Sequence, residues 1–165
     1  MPPALRWLLA AIVLLAFGLG RSAPSDSDKA SEVPRIPATE PGSVGSTFRT
    51  LHGFRMDLLA AEPLVTDPVA LEYDENGRAW VVEMRDYPHG PPDGRPPLSR
   101  IRVLADNDND GRFEASRLFA DELLFPTGLQ PWRGGVFVTL AETVMFLKDT
   151  DGDGRADIRE PWFRG

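Results

Sequence analysis

Asp106-Asn107-Asp108-Asn109-Asp110-Gly111 and Asp149-Thr150-Asp151-Gly152-Asp153-Gly154 are two copies of one pattern, D-x-D-x-D-G. Each follows a short apolar run, Ile101–Leu104 in the first case and Val144–Leu147 in the second. Their leading aspartates stand 43 residues apart. A repeat of about 40–45 residues with strand-like content is the period of a β-propeller blade. Alternate aspartates converging on one point, with glycine for the sharp turn, suit a hard cation such as Ca²⁺. One motif therefore sets two expectations: a repeating all-β architecture, and a metal loop in each repeat.

The sequence around each copy supports the repeat. Pro68–Tyr73 and Arg78–Glu83 are β-rich runs flanking Asp74-Glu75-Asn76-Gly77, and a turn ending in Asn-Gly is a strong hairpin signal. The counterpart is Thr127–Gln130, a turn at Trp132–Gly135, then Val136–Leu140. Phe113–Ala120 reads as a strand, and Gly53–Ala61 resembles it closely enough to be expected as a strand too. Each unit is strand, turn, strand, loop, strand, Asp-rich turn, strand, which is a four-stranded blade. With alternating strand directions, the Asp74–Gly77 turn and both Asp-rich turns fall on one face of the disc. The loop from Met84 to Arg100 falls on the other, where a substrate pocket is expected. Residues 48–165 are expected to hold about two blades, whereas closure takes about four to eight. The expectation is a fragment that continues beyond the chain, or one completed by partner blades.

Ahead of the repeats, Arg6 precedes a 13-residue apolar run, Trp7–Leu19, with small residues around Gly18, Gly20 and Ala23. That order marks residues 1–23 as a secretory signal peptide, shorter than the roughly 20 apolar residues of a membrane span. Export to the periplasm or cell envelope follows, with membrane association only through this segment if it is uncleaved. Residues 24–47, rich in Pro and Ser, read as a disordered linker. The net charge of −7 argues against a nucleic-acid partner, which needs a basic patch. The chain has no cysteine, which excludes disulfides, zinc-thiolate sites and thiol catalysis within it.

Two sets of residues carry candidate chemistry. The second loop matches the full D-x-D-x-D-G-x₅-E pattern, with Asp149, Asp151, Asp153, Asp157 at the ninth place and Glu160 at the twelfth. Strands rather than helices flank it, so Glu160 need not reach an ion and Asp157 can serve instead. The first loop offers Asp106, Asp108 and Asp110, with Arg117 at the twelfth place and Glu114 at the ninth as a substitute. Fewer anionic ligands predict weaker Ca²⁺ binding there. The plain alternative for both is an Asp/Gly turn with solvated carboxylates. The other set is Glu83, Arg85, Asp86, Tyr87 and His89, the densest polar cluster in the long loop. A carboxylate or His89 there could act as base on a sugar hydroxyl, with Arg85 placing an oxyanion or a quinone carboxylate. The alternative is an ion pair of Glu83 or Asp86 with Arg85 that holds the loop. Trp80, Trp132, Phe125 and Phe137 read as blade packing, and His52 as a surface residue.

Ala61–Ala70, Tyr73–Pro88, Leu104–Arg112, Phe125–Gly128 and Lys148–Asp157 together resemble the PVC-type haem-binding CxxCH proteins, also called membrane-bound dehydrogenases. The resemblance covers residues 48–165 and implies the start of an N-terminal propeller similar to that of quinoprotein sugar dehydrogenases. It implies oxidation of sugar-like hydroxyls, with electrons passed to a quinone or to a c-type haem in a C-terminal domain. A non-catalytic propeller that binds carbohydrate or protein, or a truncated product without function, are the alternatives.

Overall fold

The computed structural model describes residues 36–165, so the expected signal peptide and most of the expected linker lie outside the described residues. Eight strands follow one another: β1 (Pro68–Tyr73), β2 (Ala79–Glu83), β3 (Ser99–Ala105), β4 (Ala115–Leu123), β5 (Gly128–Trp132), β6 (Gly135–Thr139), β7 (Thr143–Lys148) and β8 (Ile158–Arg164). They form two four-stranded sheets, β1-β2-β3-β4 and β5-β6-β7-β8, each antiparallel with neighbours in chain order. The fold is all-β, as the repeat implied. No helix of the described residues is long and apolar enough to cross a membrane.

The turns explain the registers. At β5–β6 the two connecting residues, Arg133 and Gly134, both have positive φ (48° and 73°). That is the requirement of the tight hairpin turn whose twist matches its strands. At β1–β2, Gly77 (φ 75°) closes the turn, and the Asp74 carboxylate accepts the N–H groups of Asn76 and Arg78 at 2.9 and 3.0 Å. Both Asp-rich loops lie at the same end of their sheets as these hairpins, because each sheet is a simple meander.

Alternation decides the core. Trp80, Ile101 and Phe119 on one face of the first sheet pack against Val136, Val138 and Leu147 of the second. Trp80 and Phe119 meet edge to face, ring centroids 4.6 Å apart. The opposite face of the first sheet (Ala79, Val81, Leu104) is covered by Val65 and Phe113, with Ala60 beside them. β2 is buried along its whole length, while β8, at the rim, is exposed along its whole length. At the rim, Asp121 in β4 accepts hydrogen bonds from Arg155 (2.9 Å) and Arg159 (3.1 Å), linking the sheets.

One expectation is corrected. Gly53–Ala61 is not a strand: it pairs with no strand, and the Phe113 N–H of the β3–β4 loop donates to its Leu59 carbonyl at 2.9 Å. Strand-compatible residues do not make a strand without a neighbour to complete the ladder. Within the described end of the expected linker, Pro41–Val44 form a four-residue helix α1 and Gly45–Thr47 a 3-10 turn, all but Val44 exposed. Proline at the start of α1 supplies a fixed φ there.

Candidate metal centres and the β2–β3 loop

The two Asp-rich loops share one hydrogen-bond scheme. Asp106 accepts the N–H groups of Asn109 (2.7 Å) and Gly111 (2.9 Å), one on each carboxylate oxygen. Asp149 does the same with Gly152 (2.6 Å) and Gly154 (2.8 Å). The next two aspartates each accept the N–H two residues on: Asp108 from Asp110, Asp110 from Arg112, Asp151 from Asp153, and Asp153 from Arg155. The fourth and sixth places hold positive φ in both copies, at Asn109 and Gly111, and at Gly152 and Gly154. These turns fold the loop so that alternate carboxylates face inward.

In the first loop Asp106, Asp108, Asp110 and Glu114 come together with ligand oxygens within 4.8 Å of one another. In the second, Asp149, Asp151 and Asp153 do so. A carboxylate has about four lone-pair sites, so one accepted N–H leaves capacity for a cation. Uncompensated charges about 4–5 Å apart repel by roughly 1 kcal/mol per pair even in bulk water. The donor set, all hard oxygen, fits Ca²⁺.

The ranking of the loops differs from the sequence reading. Asp157 is turned onto Thr150, accepting both its N–H (2.9 Å) and its hydroxyl. The Thr150 hydroxyl holds the Asp157 carboxyl below the usual carboxylate range. Glu160 lies in β8 opposite Phe146, so the twelfth-place ligand is absent from the loop. Glu114, one methylene longer, satisfies Asn107 N–H (2.9 Å) with one oxygen and still joins its cluster. The first loop, expected to be the poorer, gathers four carboxylates and the second three.

At the other end, the polar cluster does not converge. Glu83 and Asp86 are buried, whereas Arg85, Tyr87 and His89 are exposed. Glu83 is paired with Arg100 and Arg102, and accepts the Thr66 N–H at 2.8 Å. Arg85 is therefore not its ion-pair partner. β2 and β3 run antiparallel with Glu83 opposite Arg100, and that register, unread in the sequence, selects the partner. Asp86 accepts from the Ser99 hydroxyl (2.5 Å) and the Leu98 N–H (3.0 Å), and Ser99 in turn receives the Arg85 N–H (3.1 Å). Both carboxylates are committed to fixing the ends of the loop. Tyr87 stacks edge to face on Phe125.

A cavity of about 470 Å³ opens instead at the Asp-loop end, between the sheets, with Trp80, Arg117, Asn107 and Asp149 in its wall. Arg117 lies against Gly154 of the second loop. Beside it Asp74, missed as a site residue, receives Trp80 Nε1–H (2.9 Å) and the Arg78 guanidinium (2.7 Å). Burial pushes its carboxyl up, but these hydrogen bonds, with the N–H groups of Arg78 and Asn76, hold it below its usual value.

The model of a family described as DUF7133, a domain of unknown function, matches residues 40–165. The chain belongs to that family. No curated protein and no solved structure matches it. The DUF7133 match takes in both sheets, both Asp-rich loops and the β2–β3 loop.

Proposed function

We propose that this DUF7133 segment is a non-catalytic part of an exported β-propeller, its two sheets being neighbouring blades whose Asp-rich loops bind Ca²⁺ as structural pins. The observation that carries this reading is the identical hydrogen-bond scheme of the two loops, each gathering carboxylates within 4.8 Å. Each ion would tie the β3–β4 or β7–β8 turn together and remove the repulsion among its carboxylates. The β2–β3 loop supports a structural role as well, since Glu83 and Asp86 are spent on holding it. Oxidation of sugar-like hydroxyls, which the resemblance implies, would draw on groups other than those gathered here. A quinone or haem would sit elsewhere in a longer protein.

Calorimetric titration of the chelator-treated chain with CaCl₂, followed by thermal melting, tests the proposal. A hundredfold excess of Ca²⁺ over Kd stabilises by about 2.7 kcal/mol, a rise in Tm on the order of 10 °C. Asp108→Ala should remove more of that rise than Asp151→Ala, since it empties the fuller cluster. A melting curve unchanged across millimolar Ca²⁺ would sink the reading.

A further inference from the structure

The outer face of the second sheet carries four aromatic side chains, one from each strand: Trp132, Phe137, Phe146 and Trp162. Their rings pack on one another, with Phe137 and Trp162 edge to face at 4.9 Å and Phe137 and Phe146 at 5.0 Å. Trp132 is 41% exposed and Trp162 48%. Large aromatics gathered in one exposed patch mark a contact surface.

The strand registers relate this face to the interface between the two sheets. In the first sheet Trp80 pairs across to Val103, three residues before the Asp106 loop, and in the second Phe137 pairs to Phe146, three before the Asp149 loop. Phe119 and Trp162 likewise stand 43 residues apart at equal distance beyond their loops. Phe137 and Trp162 are thus the second sheet's equivalents of Trp80 and Phe119, and they meet in the same edge-to-face manner. Within the chain, Trp80 and Phe119 are covered by the aliphatic face Val136, Val138 and Leu147 of the next sheet. The matching aliphatic face of the first sheet, Ala79, Val81 and Leu104, is already buried under Val65 and Phe113. Those two side chains stand between it and the aromatic face of a second copy.

We infer that the Trp132–Phe137–Phe146–Trp162 face is the docking surface for a third four-stranded sheet, one presenting an aliphatic face like that of Val136, Val138 and Leu147. This inference rests on the propeller reading only in naming the partner as a further blade. The interface already formed between the two sheets is its template: an edge-to-face aromatic pair laid on branched aliphatic side chains.

The test extends the full chain by a second copy of residues 124–165 after Gly165, with Trp132→Phe and Trp162→Phe in the added copy. Hydroxyl-radical footprinting read by mass spectrometry then follows the original Trp162. Its exposure should fall from 48% toward the 4% of Phe119, so its oxidation rate should drop about tenfold. Val138→Asp in the added copy should restore the original rate. Because that change could simply unfold the added copy, a second variant places Trp162→Ala in the first copy, where the side chain is half-exposed. Trp132 should then stay as reactive in the extended chain as in the parent. Unchanged Trp162 oxidation in the extended chain, with the added copy folded or not, overturns the inference. So does a parent chain that sediments as a dimer with Trp162 already protected. Calcium binding is read on the parent chain alone, so either proposal can fail without the other.

Discussion

Glu83 is the residue where a structural and a catalytic reading part most sharply. Its side chain is fully buried, and its two oxygens serve Arg100, Arg102 and the Thr66 N–H, with both arginine side chains about four-fifths buried. Arg102 Nε lies 3.4 Å from Glu83 without hydrogen-bond geometry, so its pairing is through charge alone. Glu83→Ala leaves two part-buried arginines without their counter-ion and the Thr66 N–H without its acceptor. Removing one partner of a buried ion pair costs about 3–5 kcal/mol. Glu83→Gln keeps an acceptor for Thr66 but loses the charge and turns an amide NH₂ toward Arg100, so it should still cost on the order of 2–3 kcal/mol. Against a typical domain stability of about 5–15 kcal/mol, the alanine variant gives up a large part of the total. Urea unfolding followed by circular dichroism measures it. With a slope of about 2 kcal/mol/M, a loss of 4 kcal/mol lowers the midpoint by about 2 M. A midpoint displaced by less than about 0.5 M in Glu83→Ala would refute the argument that this carboxylate holds the loop.

Asp74 gives a pH dependence. Its carboxyl titrates lower in the folded chain than its ordinary value of 3.8. The stability it contributes is complete above the unfolded value and is lost as pH falls through the folded one. Melting temperatures measured below pH 4 should fall less steeply in Asp74→Asn than in the parent, and parallel curves would count against it. Gly135→Ala should destabilise by about 1–3 kcal/mol through overpacking, because the added methyl would stand 2.6 Å from the Phe146 ring and 2.5 Å from the Leu147 carbonyl. Thermal melting checks this, and a variant as stable as the parent would show that β6 and β7 are not packed this closely.

Much of the fold was legible because its signals are local. The Asp-x-Asp-x-Asp-Gly copies, the Asn-Gly turn and the apolar runs each act through a few neighbouring residues, so they announced strands, turns and period. Asp106, Asp108, Asp110 and Glu114 were legible as one cluster for the same reason, since the loop that gathers them spans nine residues. Gly53–Ala61 misled because propensity describes a residue's fitness for a pleated surface and not the presence of a partner strand.

By itself, then, the sequence determined the all-β class, the strand order and the two Asp-rich turns 43 residues apart. Periodicity and turn chemistry are properties of contiguous chain. Only the tertiary structure decided that Asp157 turns to Thr150, that Glu83 pairs with Arg100 and Arg102, and that Tyr87 and His89 stay in solvent. It alone showed that Phe137 and Trp162 repeat the positions of Trp80 and Phe119 on an uncovered face. Those outcomes depend on strand register and on which sheet faces which, and register is set by pairing between segments far apart in the chain.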